Sequence, residues 1–486
     1  MRSSDTKLPV VHHGHRAARQ HHSVRTTRSD AAARPSTTQA ETVVGSLTIL
    51  LLVIALLFGG GTSNYLISDL FVQLLAAVLL VYGVNRLRWQ KLPLSIKQLL
   101  LILVAVLAIP ILQLIPLPTA LLMHLPGRRE LWQTHQSLGI QVPMFAQWSL
   151  DPNASLAALR AMLPAAAFAV LGCQLQSIWL KRLALIVIVF AVLSVVIGVA
   201  QLAQGPASEL RPYMPTNTAD AVGLFANRNH YAALLVSALI LVLGGLMEDG
   251  YIARPGVRKA LRLCGWILLA SIFLLGIALA GSRAAAGLAV GVSAIMVLMA
   301  MLQKRDGRNP LTRLALVLAI GGFVAFQYGF LQIVERFGQK GEEYRWAVLP
   351  DVLSAASQYA WLGSGLGSFP SVYAALESID MLTPGRFQHA HNDWAELWVD
   401  VGLIFVVVAL AFFVWCWKWT RELFNTGLLA QQQHIVRIVG GLLIFVLCLH
   451  SLVDYPLRTT TLSVIFTLAC LFFAQPLTDA ARNARS

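Results

Sequence analysis

Apolar runs of about twenty residues, separated by short polar segments, repeat along the chain from residue 43 to residue 476. A helix needs ~20 mostly apolar residues to cross a bilayer. That rule picks out twelve segments: 43–60, 66–84, 98–115, 155–175, 181–203, 229–247, 261–280, 284–302, 312–334, 396–417, 435–455 and 460–476. The narrowest gap is Gly281-Ser282-Arg283, three residues between two spans. Three connections are longer: 116–154, 204–228 and 335–395. The first carries Pro116, Pro118, Pro126 and Pro143 with Trp132 and Trp148, which suits a stretch lying along the membrane interface. The last is the largest, with a short helix expected from Glu342 to Ser357 and then the turn Gly363-Ser364-Gly365-Leu366-Gly367. The pattern predicts an all-α polytopic membrane protein of about twelve transmembrane helices, with a large outer loop that carries short helices. It shows no internal repeat and no inverted pair of broken helices of the kind transporters use.

Basic residues set the orientation, because loops on the cytoplasmic side are enriched in Lys and Arg. With residues 1–42 inside and the sides alternating, cytoplasmic segments hold 26 of the 37 Lys and Arg, and the opposite side holds 9. Both termini are then cytoplasmic: a disordered His/Arg-rich tail over 1–42, the transmembrane domain over 43–476, and a short tail over 477–486. The N-terminal stretch is not expected to be a cleaved signal, because the apolar run after it is full length and lacks a clear small-residue cleavage site. Composition agrees. Of 486 residues, 57% are hydrophobic and 12% charged, against ~45–50% and ~25% in soluble domains. A soluble enzyme, a secreted disulfide scaffold and a disordered protein are all excluded. The formal charge of +14 reads as topology, not as a nucleic-acid surface. Five cysteines, all inside apolar runs and without CxxC spacing, indicate neither a disulfide framework nor a metal site.

Candidate chemistry gathers at the outer helix mouths. Arg283 opens the eighth span among small residues; an arginine there is costly unless paired or hydrated, and its fork can grip phosphate bidentately or snorkel to headgroups. Arg345, in Glu342-Glu343-Tyr344-Arg345-Trp346, has an ion pair within the loop as its plain alternative. In His389-Ala390-His391-Asn392-Asp393-Trp394, a histidine base stands beside acids. Asp393, Glu396 and Asp400 fall on one helical stripe, which must line a polar cavity since it cannot face lipid. Asn392 or Asp393 can equally be a structural helix cap. Arg228, Asn229 and His230 open the sixth span, positioned for the same ligand or for headgroups. His450, Asp454 and Arg458 are spaced as an ion-pair ladder on one helix face, and Arg160, inside the fourth span, needs a partner. The glycine-rich turn follows no strand, and no Walker, HExxH or DxD-type pattern occurs. No metal or cofactor is expected, so any substrate has to arrive already activated.

Several of these segments occur in an order that resembles the O-antigen ligase/polymerase superfamily of bacterial membrane glycosyltransferases. They are Trp148-Ser149-Leu150-Asp151-Pro152, Gly223 to Ala232, Gly281-Ser282-Arg283, Arg345-Trp346, Leu362 to Ser368, His391 to Glu396, and Gly402-Leu403. No single motif is diagnostic; the ordered set, over roughly residues 43–476, is. The resemblance implies an inner-membrane enzyme with a periplasmic active site. Its donor would be a glycan on undecaprenyl diphosphate, and its acceptor lipid A–core for a ligase or a growing polysaccharide for a polymerase. A flippase and a chain-length regulator are its candidate partners. The resemblance further implies that Arg283 and Arg345 hold the diphosphate, that His391 activates the acceptor hydroxyl, and that attack inverts the anomeric carbon. His389 leaves a second imidazole beside it. Arg228, Asn229, His230, Asp393 and Glu396 are expected to contact substrate. The rival from another class, a twelve-helix secondary transporter, would place its charges near mid-membrane, and the polar groups here lie at helix mouths.

Overall fold

The computed structural model describes residues 39–62, 67–214, 218–252, 257–302, 348–378, 387–427 and 432–476. Its helices of eight residues or more, in order, are α1 (Gln39–Phe58), α2 (Ile67–Arg86), α3 (Leu94–Gln113), α4 (Arg129–Ser137), α5 (Pro152–Ala161), α6 (Leu163–Gly172), α7 (Ser177–Gln204), α8 (Arg228–Ile252), α9 (Val257–Ala280), α10 (Arg283–Leu302), α11 (Leu349–Gln358), α12 (Phe369–Leu376), α13 (Asp393–Val401), α14 (Leu403–Asn425), α15 (Gln432–His450) and α16 (Thr460–Phe473). Among the described residues, eight helical segments are long and apolar enough to cross a membrane, and three further apolar helices are shorter. The expected span 312–334, the start of the helix expected at Glu342, and the tails as far as residue 38 and from residue 477 lie outside the described residues.

Apolar content is what makes these segments helices, and how it is distributed around each one decides where it sits. Helix α8 is apolar on all sides and almost wholly buried, packed against α7, α9, α10 and α15. Helix α14 is the opposite case: its apolar side chains point outward, with Val407, Leu410, Val414 and Trp417 exposed, as a lipid-facing helix requires. Because α8 is held from every side, the residues at its first turn are delivered to a fixed place.

The span expected over 396–417 is two helices, not one. Helix α13 stops at Gly402, which has φ +65°, and α14 begins at the next residue. Apolar Val401 and Leu403 flank the break directly, so the apolar pattern reads as one span across it. The consequence is functional: the acidic stripe sits on a separate nine-residue helix and not on a membrane-crossing one. A side chain at Gly402 would meet the backbone of Gly363 and Trp361 at 2.6 and 2.8 Å as well as being strained. Gly402→Ala is therefore expected to cost more than about 1 kcal/mol, read as a lower melting temperature of the purified protein.

The segment before α5 forms a small antiparallel pair, Pro116–Pro118 with Phe145–Gln147, and carries α4 between the strands. Buried Arg128 fastens it by donating to the carbonyls of Trp148, 2.7 Å, and Gly363, 2.9 Å. The glycine-rich turn is tied in turn to α13. Its Ser364 and Gly365 amides donate to the Val399 and Asp400 carbonyls at 2.8 and 2.9 Å, and those of Gly367 and Phe369 donate to the Asp400 carboxylate at 2.9 and 3.1 Å. These amides hold the loop together; they are not a phosphate cradle. A second small core of Val348, Val352, Phe369, Tyr373 and Val399 packs α11, α12 and α13 into a cap beside the main bundle.

Candidate active site

Several helix ends converge on one cavity of about 320 Å³. The first turn of α8 contributes Arg228 and Asn229, and the junction of α9 and α10 contributes Ser282, Arg283 and Ala284. The loop before α13 adds Ala390, His391 and Asn392, and the end of α15 with the turn after it adds His450, Leu452, Val453 and Asp454. Leu349 at the start of α11 completes the wall. Helices α8, α10, α11 and α13 all begin here, so their N-terminal amides add partial positive charge to that of the two arginines. Asp454 on the wall and Asp220 behind Arg228 offset part of that charge, and an imidazole stands on the rim.

Each wall residue has a local reason for its position. Asn392 caps α13, its side-chain oxygen accepting from the Trp394 and Ala395 amides at 3.1 Å. His391, just before the cap, has φ +52° and is the only non-glycine residue with positive φ among the described residues. Such a conformation costs of order 1–3 kcal/mol and is kept where the surroundings enforce it, which clusters at functional sites. Its Nδ1 lies 3.7 Å from Asp454 Oδ1, and the side chain is about a quarter exposed. Asn229 donates to the other oxygen of Asp454, and the Tyr455 amide donates to Oδ1 at 2.9 Å. Asp454 is therefore a fixed carboxylate beside the His391 ring, within ion-pair range of its Nδ1 but beyond hydrogen-bond distance. Arg228 pairs with Asp220 at 2.5 Å, which aims its guanidinium.

Of the site residues expected from sequence, Arg228, Asn229, Arg283 and His391 come together around this cavity. Arg345 lies outside the described residues. His230 is fully buried behind the wall, its Nε2 3.7 Å from Asp454 and its ring edge-on to Tyr455. Asp393 and Glu396 face the other way, into a second and larger chamber. They share Arg458 with Asp400: its guanidinium lies 3.1 Å from Asp393, 3.2 Å from Glu396 and 3.6 Å from Asp400. The ladder expected from His450 through Asp454 does not continue to Arg458. Helix α15 ends at His450, a turn follows, and Pro456–Arg458 is a 3-10 turn, so Asp454 and Arg458 diverge to different partners. Periodicity suggested a shared face, and the helix end removed it. Tyr455, between them, gave no signal in the sequence, yet its ring contacts His230, His389 and His391 at centroid distances of 4.8, 4.2 and 5.2 Å. His389 itself pairs with Glu396 at 3.0 Å.

Three carboxylates around one guanidinium cannot all be fully compensated. Burial raises the Asp393 carboxyl from 3.8 to about 6 despite the opposing pull of Arg458. Burial would by itself lower Arg458, but Glu396, Asp393 and Asp400 more than offset it and hold the guanidinium firmly charged. The sign follows. A carboxyl with a raised folded-state pKa binds more protons folded than unfolded, so its stabilising contribution is present below pH 3.8 and is lost as pH rises through about 6. Asp393→Asn is expected to flatten that part of the dependence of melting temperature on pH, measured at matched ionic strength.

Residues 268–406 match the family model described as O-antigen ligase. No curated protein matches the chain. The matched segment takes in Arg283 and His391 from the cavity wall, while Arg228, Asn229 and Asp454 come from outside it. Over that segment this chain of apolar helices is similar to the O-antigen ligase family, and the similarity supports a relation to the O-antigen ligase superfamily.

Proposed function

We propose that this chain is a glycosyltransferase of the bacterial inner membrane, moving a glycan from undecaprenyl diphosphate to an acceptor hydroxyl at the periplasmic face. The observation that carries the reading is the meeting of Arg228, Arg283 and the Asp454-backed His391 around one cavity. In the reaction the anomeric carbon–oxygen bond to the diphosphate breaks as the acceptor oxygen attacks from the opposite face, inverting the centre. Negative charge grows on the departing diphosphate, and fixed guanidinium groups with helix N-termini stabilise it as it develops. Arg283 takes this role in the cavity, Arg228 supports it, and Arg345 is assigned to it on the resemblance alone. His391 accepts the acceptor's proton through the ring nitrogen turned away from Asp454, leaving an imidazolium that the carboxylate stabilises. Asn229 and His230 keep Asp454 in place. Asp393 and Glu396 act through Arg458 and not on the diphosphate.

With two arginines and the helix ends supplying charge, transfer is expected to continue unchanged after chelation with EDTA. The test is a metal-free reaction of the purified protein in lipid with the host's lipid-diphosphate-linked repeat, products sized by mass spectrometry. Transfer only when lipid A–core is supplied identifies a ligase, the reading preferred here. A ladder of repeats without that acceptor identifies a polymerase of lipopolysaccharide or exopolysaccharide. No glycosidic bond with either acceptor, from intact donor, removes the transferase reading and favours transport.

A further inference from the structure

The larger chamber, of about 900 Å³, shares none of its lining residues with the smaller cavity. It runs between α3, α6, α14 and α16 and is lined mostly by apolar side chains, Ile102, Val106 and Phe412 among them. Its polar end is built from Asp151, Gln388, His389, Asp393, Glu396 and Arg458, with Tyr455 dividing it from the smaller cavity: Tyr455 touches the ring of His389 on this side and that of His391 on the other.

Charge decides which head group the polar end accepts. Arg458 is its only Lys or Arg among the described residues, and three carboxylates already surround it. A phosphate there would meet Asp151, Asp393 and Glu396 with no uncompensated cation. A quaternary or primary ammonium would have to compete with donors already on these carboxylates: Glu396 accepts from His389 and the Ala390 amide besides Arg458, Asp393 accepts from Ser451 at 3.0 Å, and Asp151 from Ser371 at 2.7 Å. What the end offers is neutral hydrogen bonding. With Nδ1 of His389 on Glu396, its other ring nitrogen is left for a ligand, and Gln388 and Ser451 line the same chamber. A hydroxyl, which both donates and accepts, matches these groups.

We propose that this chamber binds an amphiphile with a hydrocarbon chain and an uncharged, hydroxyl-bearing head, a sugar or simple alcohol, its head against His389 and its chain between α3, α6, α14 and α16. The site is distinct from the diphosphate cavity and is tested by binding alone, so its failure and that of the transferase reading are separable.

The experiment uses the full chain in lipid nanodiscs with three photoreactive probes sharing one alkyl chain, headed by glucoside, phosphate or trimethylammonium. Labelled peptides are mapped by mass spectrometry. The glucoside probe is expected to label chamber-lining peptides of α3 and α14 roughly three- to tenfold more than the other two, as loss of one or two hydrogen bonds would give. Ala165→Phe and Ala409→Phe, which fill the chamber from different helices, are each expected to abolish that labelling; His389→Ala is expected to reduce it to the level of the charged probes. Equal labelling by all three heads, preference for either charged head, absence of chamber labelling, or labelling that survives both filled variants overturns the proposal.

Discussion

Replacing His391 by alanine is expected to slow transfer by about 10²–10⁴-fold, the range a positioned general base supplies. The alanine keeps a small side chain at φ +52°, so the loop before α13 is perturbed only modestly, and the variant should purify with an unchanged elution profile. His389→Ala is the informative comparison. It sits two residues away, but its ring is paired with Glu396 and faces the larger chamber. If His391 is the base, losing His389 costs far less. Asp454→Asn should fall between them, because the amide keeps the shape and loses the charge that holds the imidazolium. Equal loss from both histidines, or none from His391, would remove the assigned role.

Arg283→Ala is expected to lower turnover by about 10²–10³-fold, the typical cost of removing one donor aimed at developing charge. Arg283→Lys should restore little of it, since an ammonium cannot reproduce a bidentate, planar contact with phosphate oxygens. The loss should appear mainly in turnover, not in apparent donor affinity, because charge on the leaving diphosphate grows as the bond breaks. Arg228→Lys should be milder. Arg228 is anchored to Asp220 and shares its charge with it, so less of that charge is available to the donor.

How much of this was readable beforehand differs by feature. The helices were, because twenty apolar residues in a row admit few other structures, and α1 to α3, α7 and α9 lie within a few residues of the predicted spans. The break at Gly402 was not, since apolar residues continue on both sides and a single glycine need not end a helix; the positive φ shows that this one does. Arg228, Arg283 and His391 were visible as polar groups at helix mouths, where their cost demands a partner. Their common cavity was invisible, because it joins helix ends far apart in sequence. Helical spacing links Asp454 to His450 and Arg458; in the structure the helix ends at His450, Arg458 takes other partners, and Asp454 meets Asn229 and His391. The acidic stripe reads from sequence as too costly for lipid, and the three acids are buried; their partner, Arg458, comes from another segment and no spacing rule connects them.

The central claim is that the cavity bounded by Arg228, Arg283 and His391 receives the diphosphate of a lipid-linked glycan. The most direct measurement is a cryo-electron microscopy structure of the protein in nanodiscs with an intact undecaprenyl-diphosphate-linked glycan, using His391→Ala to prevent turnover. The prediction is diphosphate density within hydrogen-bonding reach of the Arg283 guanidinium, with the first sugar facing position 391. Diphosphate density elsewhere in the protein, above all against Arg458 in the larger chamber, would contradict it.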